Sequence, residues 1–293
     1  MQFRMIEEFH YPIPWRSPGH RPGHHPGVRS GGGFEFRGLV PFTNQPDPRH
    51  LDVRAMIADP TQALMVRSFR QRAAIPVYLL ADLSASMGFA GKTLKTALLA
   101  EFAAATAWST WRIGDPFGFY ACDSQIRWEL SLPLRQHKGM ANELSAQIQA
   151  FQPSANNALG LLEAATLLGR QRALVFVVSD FHFSASQMGA LFNALVRHDT
   201  VPVVLWDSGQ YENLPRFGLA ELQDLETGQR RRLFLRPSLL AKIKQGFAAR
   251  REELTRICTG YGREPFFLID RFDPDAMTRY FYSASLPTLP KPY

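Results

Sequence analysis

From residue 74 onward, unbroken apolar runs alternate with segments whose apolar residues recur every three or four positions. No other feature constrains the fold as strongly. The runs at 75–81 and 173–178 are short and continuous, as strands buried on both faces of a parallel sheet are. After the first of them, Leu94, Ala97, Leu98, Glu101, Phe102, Ala105, Trp108 and Trp111 step at helical spacing, which predicts a long helix with one apolar face. The pattern continues with a strand pair at 117–122 and 126–132 about Asp123 and Ser124, then helices at 140–151 and 157–169. A helix at 186–198 and a strand at 201–206 follow. A hairpin (220–225 with 231–235, about Thr227 and Gly228), a long helix at 238–258, a strand at 265–269 and a helix from Pro274 complete the series. Such alternation predicts an α/β fold, a doubly wound, mostly parallel sheet flanked by helices.

The first 33 residues obey different rules. Pro12, Pro14, Pro18, Pro22 and Pro26, with glycines between them, exclude an internal helix or a central strand, so this stretch reads as an extended arm. The division expected is an irregular or β N-terminal extension over 1–73, the α/β domain over 74–286 and a loose tail over 287–293. His20, His24 and His25 lie in the arm without cysteine or carboxylate partners at ligand spacing, which favours a solvated loop over a metal tract. No apolar stretch approaches the roughly 20 residues of a membrane span. Glu7, Glu8, Pro12 and Pro14 stand where a secretory signal needs an apolar run, so a cytoplasmic location is expected. Cys122 and Cys258 read as reduced core thiols.

The formal charge of +7 sits at the two ends of the chain. A nucleic-acid surface in the basic C-terminal third would need a continuous cationic track, and Glu252, Glu253, Asp273 and Asp275 interrupt it. The run Arg230, Arg231, Arg232 reads as a solvated turn.

Open α/β sheets bind ligands beyond the carboxyl ends of their strands. Those ends carry Asp82-Leu83-Ser84-Ala85-Ser86, Ser179-Asp180 and Asp207 here. Aspartate and serine are common turn formers and helix caps, which accounts for one such cluster. Asp82, Ser84 and Ser86 at alternate positions project together if the backbone stays extended. With Asp180 from a neighbouring strand they form a nest of hard oxygens suited to Mg²⁺ or Mn²⁺.

Asp82-Leu83-Ser84-Ala85-Ser86-Met87 resembles the DxSxS metal-ion-dependent adhesion motif of von Willebrand factor A (VWA) domains, and Gly114-Asp115 and Val177-Val178-Ser179-Asp180-Phe181 also match that family. The chain is most similar to a bacterial branch that accompanies MoxR-type AAA+ ATPases. The matching segments are Gly33-Phe34-Glu35-Phe36, Asp47-Pro48-Arg49-His50-Leu51-Asp52, Leu64 to Phe69, Leu205-Trp206-Asp207, Leu214-Pro215 and Asp224 to Gly228. Its compact form resembles the member encoded with methanol-oxidation clusters. Pro46 stands where the branch has a glycine. The resemblance implies a metal site of Asp82, Ser84, Ser86 and Asp180 holding Mg²⁺, Mn²⁺ or Ca²⁺. A fifth ligand, threonine in the family, falls on Asn156, with Ser154 competing.

The resemblance further implies a non-enzymatic adaptor. Its partner would be a MoxR-type ATPase or that ATPase's client, bound through an acidic side chain during maturation of a metalloenzyme or dehydrogenase. A metal-dependent hydrolase or phosphatase at the same nest is the alternative. Against it, no G-x-S-x-G surrounds Ser84 and no Walker-type loop or H-E-x-x-H occurs. His182 is the nearby candidate base, and a loop or packing role is favoured for it. No residue is assigned a catalytic role.

Overall fold

A computed structural model describes residues 6–19, 21–31, 35–58, 60–61, 63–89, 91–211, 218–223 and 230–285, and separates into two units. One holds residues 12–75; the other holds residues 1–11 with 76–293. His20, Gly33 and Phe34, Leu214 and Pro215, the segment 224–228 with its expected turn, the tail 287–293 and the side chains of Arg230, Arg231 and Arg232 lie outside this description.

The smaller unit contains β1 (Pro22–Gly31), β2 (Glu35–Pro41), the short helix α1 (Val53–Ala58) and β3 (Met65–Ala73). The strands form an antiparallel sheet in the order β1-β3-β2. The second half of the proline-rich arm is therefore a strand, and it lies at an edge, where a missing N–H costs no ladder bond. Register shifts between Pro22 and His25 and between Pro26 and Ser30 accommodate the prolines. His25 is buried in this strand, which corrects the solvated-loop expectation for that residue. The Asp47 carboxylate accepts from the backbone N–H and the guanidinium of Arg49, which hold its pKa at about 2. Asp52 accepts from Arg67 Nε at 2.7 Å.

The larger unit contains, in chain order, β4 (Val77–Asp82), α2 (Lys95–Ile113), β5 (Phe117–Cys122), β6 (Leu132–Arg135), α3 (Met140–Ala150), α4 (Gly160–Leu167) and β7 (Leu174–Ser179). It continues with α5 (Ala185–Ala194), β8 (Asp199–Trp206), β9 (Gly218–Gln223), β10 (Arg230–Leu235), α6 (Pro237–Gly260), β11 (Phe266–Ile269) and α7 (Pro274–Ser285). A six-stranded sheet runs β11-β8-β7-β4-β5-β6, parallel except for β6. β9 and β10 form a separate hairpin. The mostly parallel, helix-flanked sheet is the one expected from the apolar alternation.

One strand differs. Within 126–131 the chain pairs with β5 only through an isolated bridge between Ile126 and Cys122, and the strand proper begins at Leu132, which pairs with Phe119. Ser131 explains the interruption. Its hydroxyl donates to the Arg127 carbonyl and accepts from Ala121 N, closing a turn where a ladder would have continued.

The sheet separates two apolar layers. Val175 and Val177 of β7 pack in one cluster with Leu161 and Ala165 of α4, Met188 and Leu191 of α5 and Leu254 and Cys258 of α6. Phe176, pointing the other way as strand alternation requires, meets Phe102 of α2 and Phe281 of α7. Phe9 enters that second layer, with ring centroids 6.0–6.4 Å from Phe102, Phe176, Phe272 and Phe281. Tyr11 is buried beside it and donates to Asp115 Oδ2 at 2.8 Å; burial and that carboxylate push its phenol well above the usual range. No described helix is long and apolar enough to cross a membrane.

Candidate metal centre

The strand order defines where a ligand can enter. From β4 the chain moves to β5 on one side, and from β7 it moves to β8 on the other, so the crevice of this sheet opens beyond the carboxyl ends of β4 and β7. Asp82 ends β4, and Asp180 immediately follows β7. Both are 1% exposed.

Each aspartate is held by its own neighbours. Asp82 Oδ1 accepts from Ser84 N at 2.8 Å, a local turn typical of aspartate, and Oδ2 accepts from Ser179 Oγ at 2.6 Å. Burial and the charge of Asp180 raise the Asp82 carboxyl to about 6. Ser84 is still extended (φ −64°, ψ 166°), but Ala85–Gly88 then form a 3₁₀ turn. Alternation along extended backbone therefore does not carry Ser86 to the site. The 3₁₀ turn does, placing Ser86 Oγ 3.2 Å from Ser84 Oγ. Ala85 N donates to the Ala155 carbonyl at 2.7 Å, which ties this turn to the segment bearing Asn156.

Asp180 sits in a tighter cage. Its Oδ2 accepts from Lys95 Nζ at 2.7 Å and pairs with His182 Nδ1 at 3.0 Å. Burial works against its ionisation, but the charges of His182 and Lys95 and their hydrogen bonds outweigh it and hold the carboxyl well below the ordinary range. The next residue, Phe181, adopts a left-handed φ of 53°, a strained state for a residue with a bulky side chain. Three bonds fix it there. Phe181 N donates to Ser179 Oγ, and Arg250 Nη2 donates to the carbonyls of Phe181 and Phe183 at 2.6 and 2.9 Å. The Trp206 indole N–H donates to the Asp180 carbonyl at 3.2 Å.

A cavity of about 470 Å³ opens over these groups, lined by Asp82, Ser84, Asn156, Asp180 and His182, with Leu161 and Leu191 on its apolar side. Ser86, beside Ser84, does not itself line the cavity, and neither does Ser154. Asp207, at the third strand end, is turned away. Its carboxylate accepts from the backbone N–H groups of Lys92, Thr93 and Gly209 and shapes the loop that leads into α2.

Among the described residues, no three His, Cys, Asp or Glu side chains gather into a ligand set. An ion at this place would rest on carboxylate, hydroxyl and amide oxygens. Those donors fit a hard divalent cation. Adjacent ligands of an octahedral Mg²⁺ lie about 2.9 Å apart, and those of Ca²⁺ somewhat more; the 3.2 Å between the two serine hydroxyls falls in that range. Asp82 lines the cavity and accepts one hydrogen bond on each oxygen, whereas Oδ2 of Asp180 is shared between an ammonium and an imidazole.

Lys95 is the residue that motif reasoning passed over. It is fully buried at the first position of α2, inside the apolar stripe it shares with Leu98, Leu99 and Phe102. A lysine in such a stripe is the sequence signal that could have exposed it, because a buried ammonium needs a carboxylate.

A 98-residue segment, 33% of this chain, is 40% identical to 93% of "Uncharacterized protein in moxR 3'region" from Paracoccus denitrificans. Two solved structures share 13% identity and cover 72% of the chain. They are the conserved hypothetical protein BatB from Bacteroides thetaiotaomicron (TM-score 0.43, 99% of that chain) and an aerotolerance-related membrane protein from Bacteroides fragilis (TM-score 0.42, 100% of that chain). The family described as "Protein of unknown function DUF58" matches residues 51–253, and the chain belongs to it.

Proposed function

We propose that this chain is a metal-dependent protein-binding module of the VWA type that works with a MoxR-type AAA+ ATPase, in the maturation of a metalloenzyme or dehydrogenase complex. The observation that carries the reading is the meeting of Asp82, Ser84 and Asp180 on one cavity at the switch point of the sheet. Asp82, Ser84, Asn156 and Asp180, which line the cavity, would hold the ion, with Ser86 beside Ser84. An ion held mainly by neutral oxygens stays electrophilic and can accept a carboxylate from another protein. The relative from Paracoccus supports the choice of partner, since its name places it in the 3′ region of moxR.

The cavity suits one acidic side chain. Its polar floor is Asp82, Ser84 and Asp180, and Leu161 and Leu191 offer an apolar wall to an aliphatic stem. The strained Asp180-Phe181-His182 turn, fixed by Arg250 and Trp206, keeps that floor rigid, as a site that must present a constant geometry requires. The test is capture of the MoxR-type ATPase by the immobilised chain, with Mg²⁺ and with chelator, for the wild type and Asp82→Ala. Chelator and substitution should each abolish capture while circular dichroism stays unchanged. Capture that survives either one contradicts the reading.

A further inference from the structure

A buried lysine beside a proposed cation site needs a physical explanation. Lys95 Nζ lies 2.7 Å from Asp180 Oδ2 and 3.3 Å from the Ser86 carbonyl, so one ammonium joins both halves of the site. The side chains of Lys95 and Asp180 are each 1% exposed. Lys95 is also the first residue of α2, where the helix dipole disfavours a positive charge, and the first turn of that helix carries no acidic residue to offset it. Two penalties, desolvation and the dipole, therefore act on this ammonium. The Asp180 carboxylate is what compensates them.

We propose that Lys95 is a resident cation of the site, which occupies Asp180 and leaves a divalent ion to be held weakly through Asp82 and the serines. The inference rests on the metal-binding reading above and adds its regulation and its ligand charge. Two aspartates alone would neutralise one divalent ion and leave the loaded centre without charge. With the lysine counted, the two carboxylates, the ammonium and the divalent ion together keep one positive charge. That surplus matches one carboxylate from a partner. Lys95 thus trades affinity for the metal against affinity for an acidic side chain, and the chain would bind the two together better than either alone.

Lys95→Met separates these effects. The probe is Mn²⁺ alone, titrated by calorimetry into the wild type, K95M and Asp82→Asn, with thermal unfolding followed with and without Mn²⁺. K95M should bind Mn²⁺ at least tenfold more tightly than the wild type. It should melt lower than the wild type without metal and gain more from Mn²⁺, because the stabilisation by a ligand that binds only the folded form rises with the logarithm of its affinity. Capture of the ATPase in saturating Mn²⁺ should fall in K95M. A lysine that merely fills space would leave metal affinity unmoved. If K95M binds Mn²⁺ no more tightly than the wild type while Asp82→Asn abolishes binding, the resident-cation proposal is wrong and the metal site stands. If Asp82→Asn leaves wild-type Mn²⁺ binding intact, the metal reading fails and this inference falls with it. Should K95M not fold, Lys95→Gln, which keeps a donor for Asp180, is held to the same two outcomes.

Discussion

Asp180 and Asp207 follow adjacent parallel strands of one sheet, both are buried, and they do different things. Asp180 meets an ammonium and an imidazole at the floor of a cavity. Asp207 meets three backbone N–H groups and seals a loop. The difference lies in what surrounds them. Around Asp207 the chain supplies Gly91 and Gly209, whose Cα atoms come so close that an added Cβ would stand 2.4 and 2.6 Å from Asp207 Oδ1. Around Asp180 it supplies the Lys95 ammonium, the His182 imidazole and a single backbone N–H, that of His182 at 3.3 Å, and the cavity opens over it. An aspartate after a buried strand is thus an anchor when backbone closes over it and a candidate ligand when backbone does not.

The largest effect that can break this comparison is on stability. Asp180→Ala leaves the Lys95 ammonium buried without its partner, a change that costs about 3–5 kcal/mol where such pairs have been opened. Urea denaturation should report a loss of that size, and a loss below about 1 kcal/mol would mean the pair is not the buried charge couple described here. Gly91→Ala comes next. The new methyl collides with the Asp207 carboxylate, and overpacking of this kind costs about 1–3 kcal/mol. Its stability should drop while its Mn²⁺ affinity stays at the wild-type value. A parallel loss of metal binding would show that the anchor and the candidate ligand are one cluster.

The third effect is one of pH. Asp82 has a folded pKa raised to about 6, so between about 4 and 6 the native chain retains a proton that the unfolded chain has released. That group's contribution to stability is present below its unfolded pKa and is lost as pH rises through the window. In metal-free buffer, Asp82→Asn should remove the decline. A decline that persists in the variant would assign it to another group.

Much of the fold was legible because continuous apolar runs and helical periodicity are strong signals. The strand ends that carry Asp82, Asp180 and Asp207 could be located from the apolar runs before them. What was not legible was direction. Asp207 and Asp180 look alike in sequence, and the close approach of Gly91 and Gly209 to one and of Lys95 and His182 to the other distinguishes them. The edge strand β1 was obscured by prolines that an edge tolerates. The strand expected at 126–132 is interrupted and begins only at Leu132, because a single hydroxyl, that of Ser131, captured a carbonyl and an amide. Lys95 was hidden among the apolar residues of a helix, and its partner lies 85 residues away in the chain. Ser86 was assigned to the site by the alternation of extended backbone, yet a 3₁₀ turn brings it there.

The most direct test of the central claim is an anomalous difference map from crystals of the chain soaked in Mn²⁺. The account predicts a peak within ligand distance of Asp82 and Ser84, at the floor of the cavity, and its disappearance in Asp82→Ala crystals. A map with no peak there at saturating Mn²⁺, or with one only elsewhere on the surface, would contradict it.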